Sequence, residues 1–236
     1  MEDKKRILWF TLINAFLATS TIIVTYITLS FGTVAGQVDT SVEESWFYIL
    51  TFTVQSNILL GLVALVGMIF GIKNLKDKRP IPKSYTTWYL VASSAAMLTA
   101  LTVIFFLAPG RAMQGKNYFE MMMGPMFFFH FFNPFLSAIA FIFFASKEKL
   151  GIRNCLFALI PPAAYAVPYI LNVVILKNWY DFYGFTFGGN NWAVPLVFIV
   201  IAGIVFSIAS ILTSCHNRYV RVRDISETKH PASLSS

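Results

Sequence analysis

The sequence predicts an all-α fold, a polytopic bundle of six transmembrane helices with the N-terminus and C-terminus both cytoplasmic. Three observations carry that prediction. The 236 residues are 57% hydrophobic and only 12% charged, against roughly 45–50% and 25% in ordinary soluble domains, and the mean hydropathy is +0.66. Six apolar runs stand out, at 7–30, 46–71, 85–107, 121–145, 155–176 and 192–214. Each is longer than the roughly 17–20 residues a bilayer crossing needs. Finally, fifteen of the 18 Lys and Arg residues fall at the two ends and in the second and fourth connections. Only Arg111, Lys116 and Lys177 lie on the other side, which orients the chain by the positive-inside rule.

The same composition excludes a soluble enzyme, a disordered chain and a disulfide scaffold. A membrane barrel is excluded because its strands alternate, whereas these runs are apolar all round. The isoelectric point of 9.4 then reflects flanks facing anionic lipid, with no nucleic-acid partner. The expected location is the cytoplasmic membrane, as a multi-pass protein.

The first run follows Lys4, Lys5 and Arg6, as a signal peptide would. It is too long for an h-region and no small-residue cleavage site follows, so it reads as a retained helix. Residues 1–223 form one domain, without a linker or a clear internal repeat, and residues 224–236 form a short polar, mobile tail. Cys155 and Cys215 lie near cytoplasmic helix ends and read as reduced, small apolar residues.

Inside the bilayer the polar residues are the informative ones. The second helix carries Thr53, Gln55, Ser56 and Asn57. Successive residues turn by about 100°, so this stretch is polar around more than half its girth. It must be enclosed by other helices, where it glues the bundle, or line a wet cavity. The fourth helix carries His130 and Asn133 on one face, followed by Pro134, which should kink it at the His130 carbonyl. Counting about 1.5 Å per residue from the outer end of each helix, the imidazole falls level with Thr53 and Asn57. A hydroxyl, an imidazole and amides at one depth could form a nucleophile, base and stabiliser set.

On the fifth helix, Tyr165, Tyr169 and Asn172 form an i, i+4, i+7 stripe. It could line an entrance or simply pack. The connection after it, 178–192, is crowded with aromatic residues and reads as an interfacial anchor or a re-entrant cap. Its one acid, Asp181, could orient His130 if the loop folds inward. Small residues at 92–96 on helix three, and Gly203 with Ser207 on helix six, are expected to allow close helix approach. There is no Gly-rich phosphate loop, no CxxC and no paired-His motif, so no cofactor and no metal is expected. With no Asp or Glu in any span, a carboxylate proton relay has little support.

The run Phe52-Thr53-Val54-Gln55-Ser56-Asn57, with His130 and Pro134 two helices later, resembles a family of six-helix bacterial integral membrane proteins of unassigned function. That family is distantly similar to the androgen-induced and androgen-dependent membrane hydrolases, which cleave fatty acid esters of hydroxy fatty acids with an intramembrane threonine and histidine. The resemblance implies Thr53 as nucleophile and His130 as its base. A register through Leu50-Thr51-Phe52 selects Thr51 instead. The proline of the family's Tyr-Pro motif before the last helix is absent at 179–185.

The resulting expectation is a membrane protein with an intramembrane polar cavity that acts as a threonine/histidine ester hydrolase. Thr53 and His130 would be catalytic, and Gln55, Ser56, Asn57, Asn133, Tyr165, Tyr169 and Asn172 would contact substrate. The alternative is a non-catalytic carrier or binding protein. In either case the partner is a membrane lipid or a fatty-acid-like ligand.

Overall fold

The computed structural model of the chain describes residues 2–31, 33–34, 37–38 and 46–229. Apart from one two-residue β pairing in the first connection, its regular structure is helical. α1 is Glu2–Phe31 and α2 is Phe52–Asp77. α3, Lys83–Thr102, runs through a π turn at Val103–Leu107 into α4, Ala108–Met113. A second π turn, Phe128–Phe132, opens α5, Asn133–Phe143. α6, Ile152–Leu156, leads by a 3-10 turn into α7, Ile160–Tyr169, and a third π turn, Ile170–Ile175. α8 is Ala193–Lys229.

Five helical stretches are long and apolar enough to cross a membrane, and Phe128–Phe143 is a shorter sixth. Large apolar side chains such as Ile22, Phe105, Val167 and Ile199 stand exposed on the outside of the bundle, as lipid-facing residues should. The chain is a multi-pass membrane protein.

The boundaries differ from expectation at three places, each with a local cause. Residues 46–50 form a 3-10 turn and α2 begins only at Phe52. Thr51 is its N-cap, in extended geometry, with a side chain that accepts from the Val54 amide. The fourth span starts later than 121. Gly124 takes φ +55° and Pro125 follows it, so the chain turns there before the helix begins. The last helix runs to Lys229, so the first part of the expected tail is helical. Residues 230–236 lie outside the described residues.

The kink expected at Pro134 takes the form of the π turn immediately before it. Proline cannot donate to the His130 carbonyl and crowds it, and a wider turn makes room.

α3 is the most deeply buried of the long spans. Its run Ala92, Ser93, Ser94, Ala95 and Ala96 is fully enclosed, as small residues at a helix crossing allow. The expectation fails on α8. Space beside Gly203 is open, and the exposed Ser207 hydroxyl bonds back to the Gly203 carbonyl at 2.8 Å.

The tightest pairing is α1 against α2, and the sequence reading did not single it out. A Cβ at Gly61 would lie 2.6 Å from Thr21 Cγ2, one at Gly67 2.9 Å from Asn14 Oδ1 (and 2.0 Å from the Tyr85 hydroxyl of α3), and one at Gly71 2.1 Å from Thr11 Oγ1. These glycines, with Ala64 between them, let two backbones approach where lipid offers no hydrophobic drive for association.

Candidate functional site

Four helical segments leave a space at the end of the bundle away from the basic flanks. The space is a partly open pocket lined from all four. Phe52 and Thr53 reach it from α2, and Leu98, Thr99, Thr102, Val103 and Leu107 from α3 and its π turn. Pro162 and Tyr165 line it from α7, Phe198 and Ile201 from α8, and Tyr183 and Phe185 from the loop between them. The wall is apolar with five hydroxyls, and none of its side chains is charged.

That loop is an inward-folded cap, organised by one carboxylate. Asp181 Oδ1 accepts from the Tyr169 hydroxyl and from the Phe185 amide at 3.0 Å. Its Oδ2 accepts from the Thr186 amide and hydroxyl, both at 2.8 Å. Burial alone raises this carboxyl's pKa. The hydrogen bonds from Tyr169, Thr186 and Phe185 outweigh burial and hold it below the ordinary carboxylate value, so Asp181 is ionised at neutral pH. It therefore serves the loop and has no bond to His130, contrary to the orienting role the sequence allowed it.

With the loop so held, Tyr183 stacks on Phe185 and packs edge-on to Tyr165 and tilted against Tyr169. Its hydroxyl accepts from the Phe52 amide at 2.9 Å, capping a donor that the start of α2 leaves open. Burial pushes the Tyr183 phenol above its usual value, against the opposing contacts with Thr53 and Phe52, so it stays protonated. The Thr53 hydroxyl lies beside it. The Tyr165 hydroxyl comes near the same phenol, yet forms no hydrogen bond of good geometry among the described residues, although Tyr165 is only 4% exposed.

The other polar residues of α2 and α5 sit elsewhere. Asn57 is fully buried and donates to the Thr53 carbonyl at 2.9 Å and the Phe129 carbonyl at 3.2 Å, tying α2 to the π turn. Ser56 pairs with Thr99 at 2.9 Å. Asn133 accepts from Ser20 at 3.0 Å. His130 is buried, with Nδ1 2.5 Å from the Met121 carbonyl, and is not part of the cavity wall. Among the described residues no hydrogen bond joins His130 to Thr53. Gln55 is exposed, with its amide on the Ile49 carbonyl at 3.0 Å. Thr51, the alternative nucleophile, donates to the Tyr48 carbonyl at 2.7 Å and caps α2. Asn172 donates to the Pro168 carbonyl at 2.9 Å, away from the cavity.

Of the predicted catalytic pair the structure places Thr53 on the cavity wall, and of the predicted contact residues Tyr165, with Tyr169 directly behind. Tyr183, Phe185, Thr99 and Thr102 were missed. The aromatic crowding of 178–192 was the available signal for the first two. Lone threonines on α3 gave none.

A second cavity, of about 670 Å³, opens at the basic end, lined by Asp3, Arg6, Lys147 and Glu148 among others. Its charges are engaged: Lys147 bonds to Asp3, Arg6 donates to the Phe144 carbonyl at 2.6 Å, and Lys83 reaches Glu148 at 3.8 Å. No group of three or more His, Cys, Asp or Glu able to hold a metal occurs among the described residues. Cys155 and Cys215 are both free.

Comparison of the chain with protein-family models, with curated proteins and with solved structures finds no match.

Proposed function

We propose that this membrane protein binds a lipophilic small molecule in the cavity between α2, α3, α7 and α8, as a carrier or binding protein. One observation carries the reading: an apolar intramembrane space with a few convergent hydroxyls, closed over by a loop that a single ionised carboxylate holds in place. Ligand sites are mostly apolar with a small number of placed polar groups, and this wall has that make-up. The test is to extract and identify lipids retained by the purified protein. The wild type should carry about one single-chain amphiphile per molecule, and Thr102→Trp, which fills the space, should carry none. Equal lipid content in both, or none in either, overturns the reading.

A threonine/histidine ester hydrolase is the second reading, favoured by the position of Thr53 on the cavity wall. It needs His130 to exchange the Met121 carbonyl for the Thr53 hydroxyl, since a threonine hydroxyl is a weak nucleophile without a base. Labelling by a lipophilic fluorophosphonate that disappears in both Thr53→Ala and His130→Ala supports it. The absence of labelling in a folded wild type removes it.

A further inference from the structure

We infer that the cavity selects an uncharged head group, and that the Tyr165 hydroxyl donates to it. The inference rests on the ligand-binding reading above and names the class of ligand: a single-chain lipid whose head is an alcohol, ketone or other neutral oxygen, rather than a free fatty acid.

Three features meet at the start of α2. The first is the helix N-terminus, whose Phe52 amide is already taken by Tyr183. The second is the hydroxyl group of Tyr165, buried beside the Tyr183 phenol but with no hydrogen bond of good geometry among the described residues. A buried donor left unpaired is costly, and an oxygen acceptor entering the cavity repairs it. The third is Asp181, ionised and linked to the cavity through Tyr169, whose ring lies 5.7 Å from that of Tyr165.

These features sort ligands by charge. A carboxylate entering the cavity would lose its water, meet no Lys, Arg or His on the wall, and face the field of Asp181 from behind the tyrosines. An isolated buried charge is penalised heavily, and the like charge adds to the cost. A cation would fare little better, because the Asp181 oxygens are turned to the loop: four donors already occupy them. A neutral oxygen pays neither penalty and accepts from Tyr165. Its chain then lies along Leu98, Val103, Phe198 and Ile201.

The experiment compares two probes of equal chain length, 1-dodecanol and laurate. Binding to the full protein in a non-ionic detergent is measured at pH 8 by equilibrium dialysis of the radiolabelled probe. Dodecanol should bind at least about tenfold more tightly than laurate. Tyr165→Phe, which keeps the ring, should weaken dodecanol about five- to tenfold and leave laurate unchanged. Asp181→Asn should narrow the gap by improving laurate. Competition by Thr102→Trp assigns whatever binds to the cavity.

Laurate binding as tightly as dodecanol, with both lost in Thr102→Trp, overturns the charge selection while the cavity reading survives. Dodecanol affinity unaltered in Tyr165→Phe overturns the role of that hydroxyl. Failure of both probes to bind the wild type overturns the inference together with the reading beneath it.

Discussion

Two polar clusters flank the first turns of α2, and they have opposite fates. On one side Asn57, His130 and Asn133 each have a partner within the bundle, namely the Thr53 and Phe129 carbonyls, the Met121 carbonyl and Ser20, while Asn57 Oδ1 and Asn133 Nδ2 have none among the described residues. On the other side Thr53, Tyr165 and Tyr183 line the pocket, and the Tyr165 hydroxyl has no hydrogen bond of good geometry among the described residues. One cluster is built of amides and an imidazole and the other of hydroxyls, and in sequence both stood out as polar groups within the spans, Tyr183 excepted. The difference is the neighbour. The π turn at Phe128–Phe132 presents the Phe129 carbonyl to Asn57, and Met121 and Ser20 from neighbouring segments engage His130 and Asn133, so polarity there is adhesive. The loop supplies only the Tyr183 hydroxyl, which the Phe52 amide already engages, so polarity there stays available to a ligand.

The contrast presumes a rigid α1–α2 seam behind the adhesive cluster. Gly61→Val places its Cβ 2.6 Å from Thr21 Cγ2. Overpacking of this kind costs about 3 kcal/mol, which should appear as a clear fall in melting temperature in detergent. A variant that melts like the wild type would mean that the two helices separate easily.

The cavity side is tested next through its cap. Asp181→Asn removes the charge from several hydrogen bonds at once and should cost about 2 kcal/mol. The reading is faster proteolysis within 177–192, with the helices untouched. The pH dependence has a definite sign. The folded carboxyl is held below its ordinary value, so its contribution is complete above the ordinary carboxylate range, near 3.9, and is lost as pH falls through the folded value. Protection of the loop should therefore be flat from about pH 5 to 8 as far as Asp181 is concerned, and weaken only in stronger acid. Loosening near neutrality in the wild type would assign the cap to another group.

The mildest perturbation separates the clusters most directly. His130→Phe keeps a buried ring and deletes the bond to the Met121 carbonyl, at about 1 kcal/mol. Stability should fall slightly while dodecanol binding holds. Loss of binding with the fold intact would join the two clusters into one site and favour the hydrolase reading.

How much of this was legible in the chain follows from the range of the interactions. The spans were readable because the bilayer imposes a length and an apolarity on each helix separately. Helix ends drifted where a cap or a turn residue acted locally, as at Thr51 and at Gly124-Pro125. The stripe Tyr165–Tyr169 was visible as a helical repeat, and an inward cap at 178–192 was one of two readings that its aromatics allowed. Depth counting put His130 level with Thr53, but depth is only one coordinate. Which helices stand side by side, and which flank of each they present, depends on contacts between residues distant in sequence.

Composition and periodicity therefore determine that this chain crosses a membrane several times, with its basic residues at one face, because those properties are sums over local residues. Whether Asn57 is glue and Thr53 a cavity wall is settled by packing. The two are four residues apart on the same helix, and only the arrangement of α3, α5, α7 and the loop above them gives one a carbonyl and the other a void.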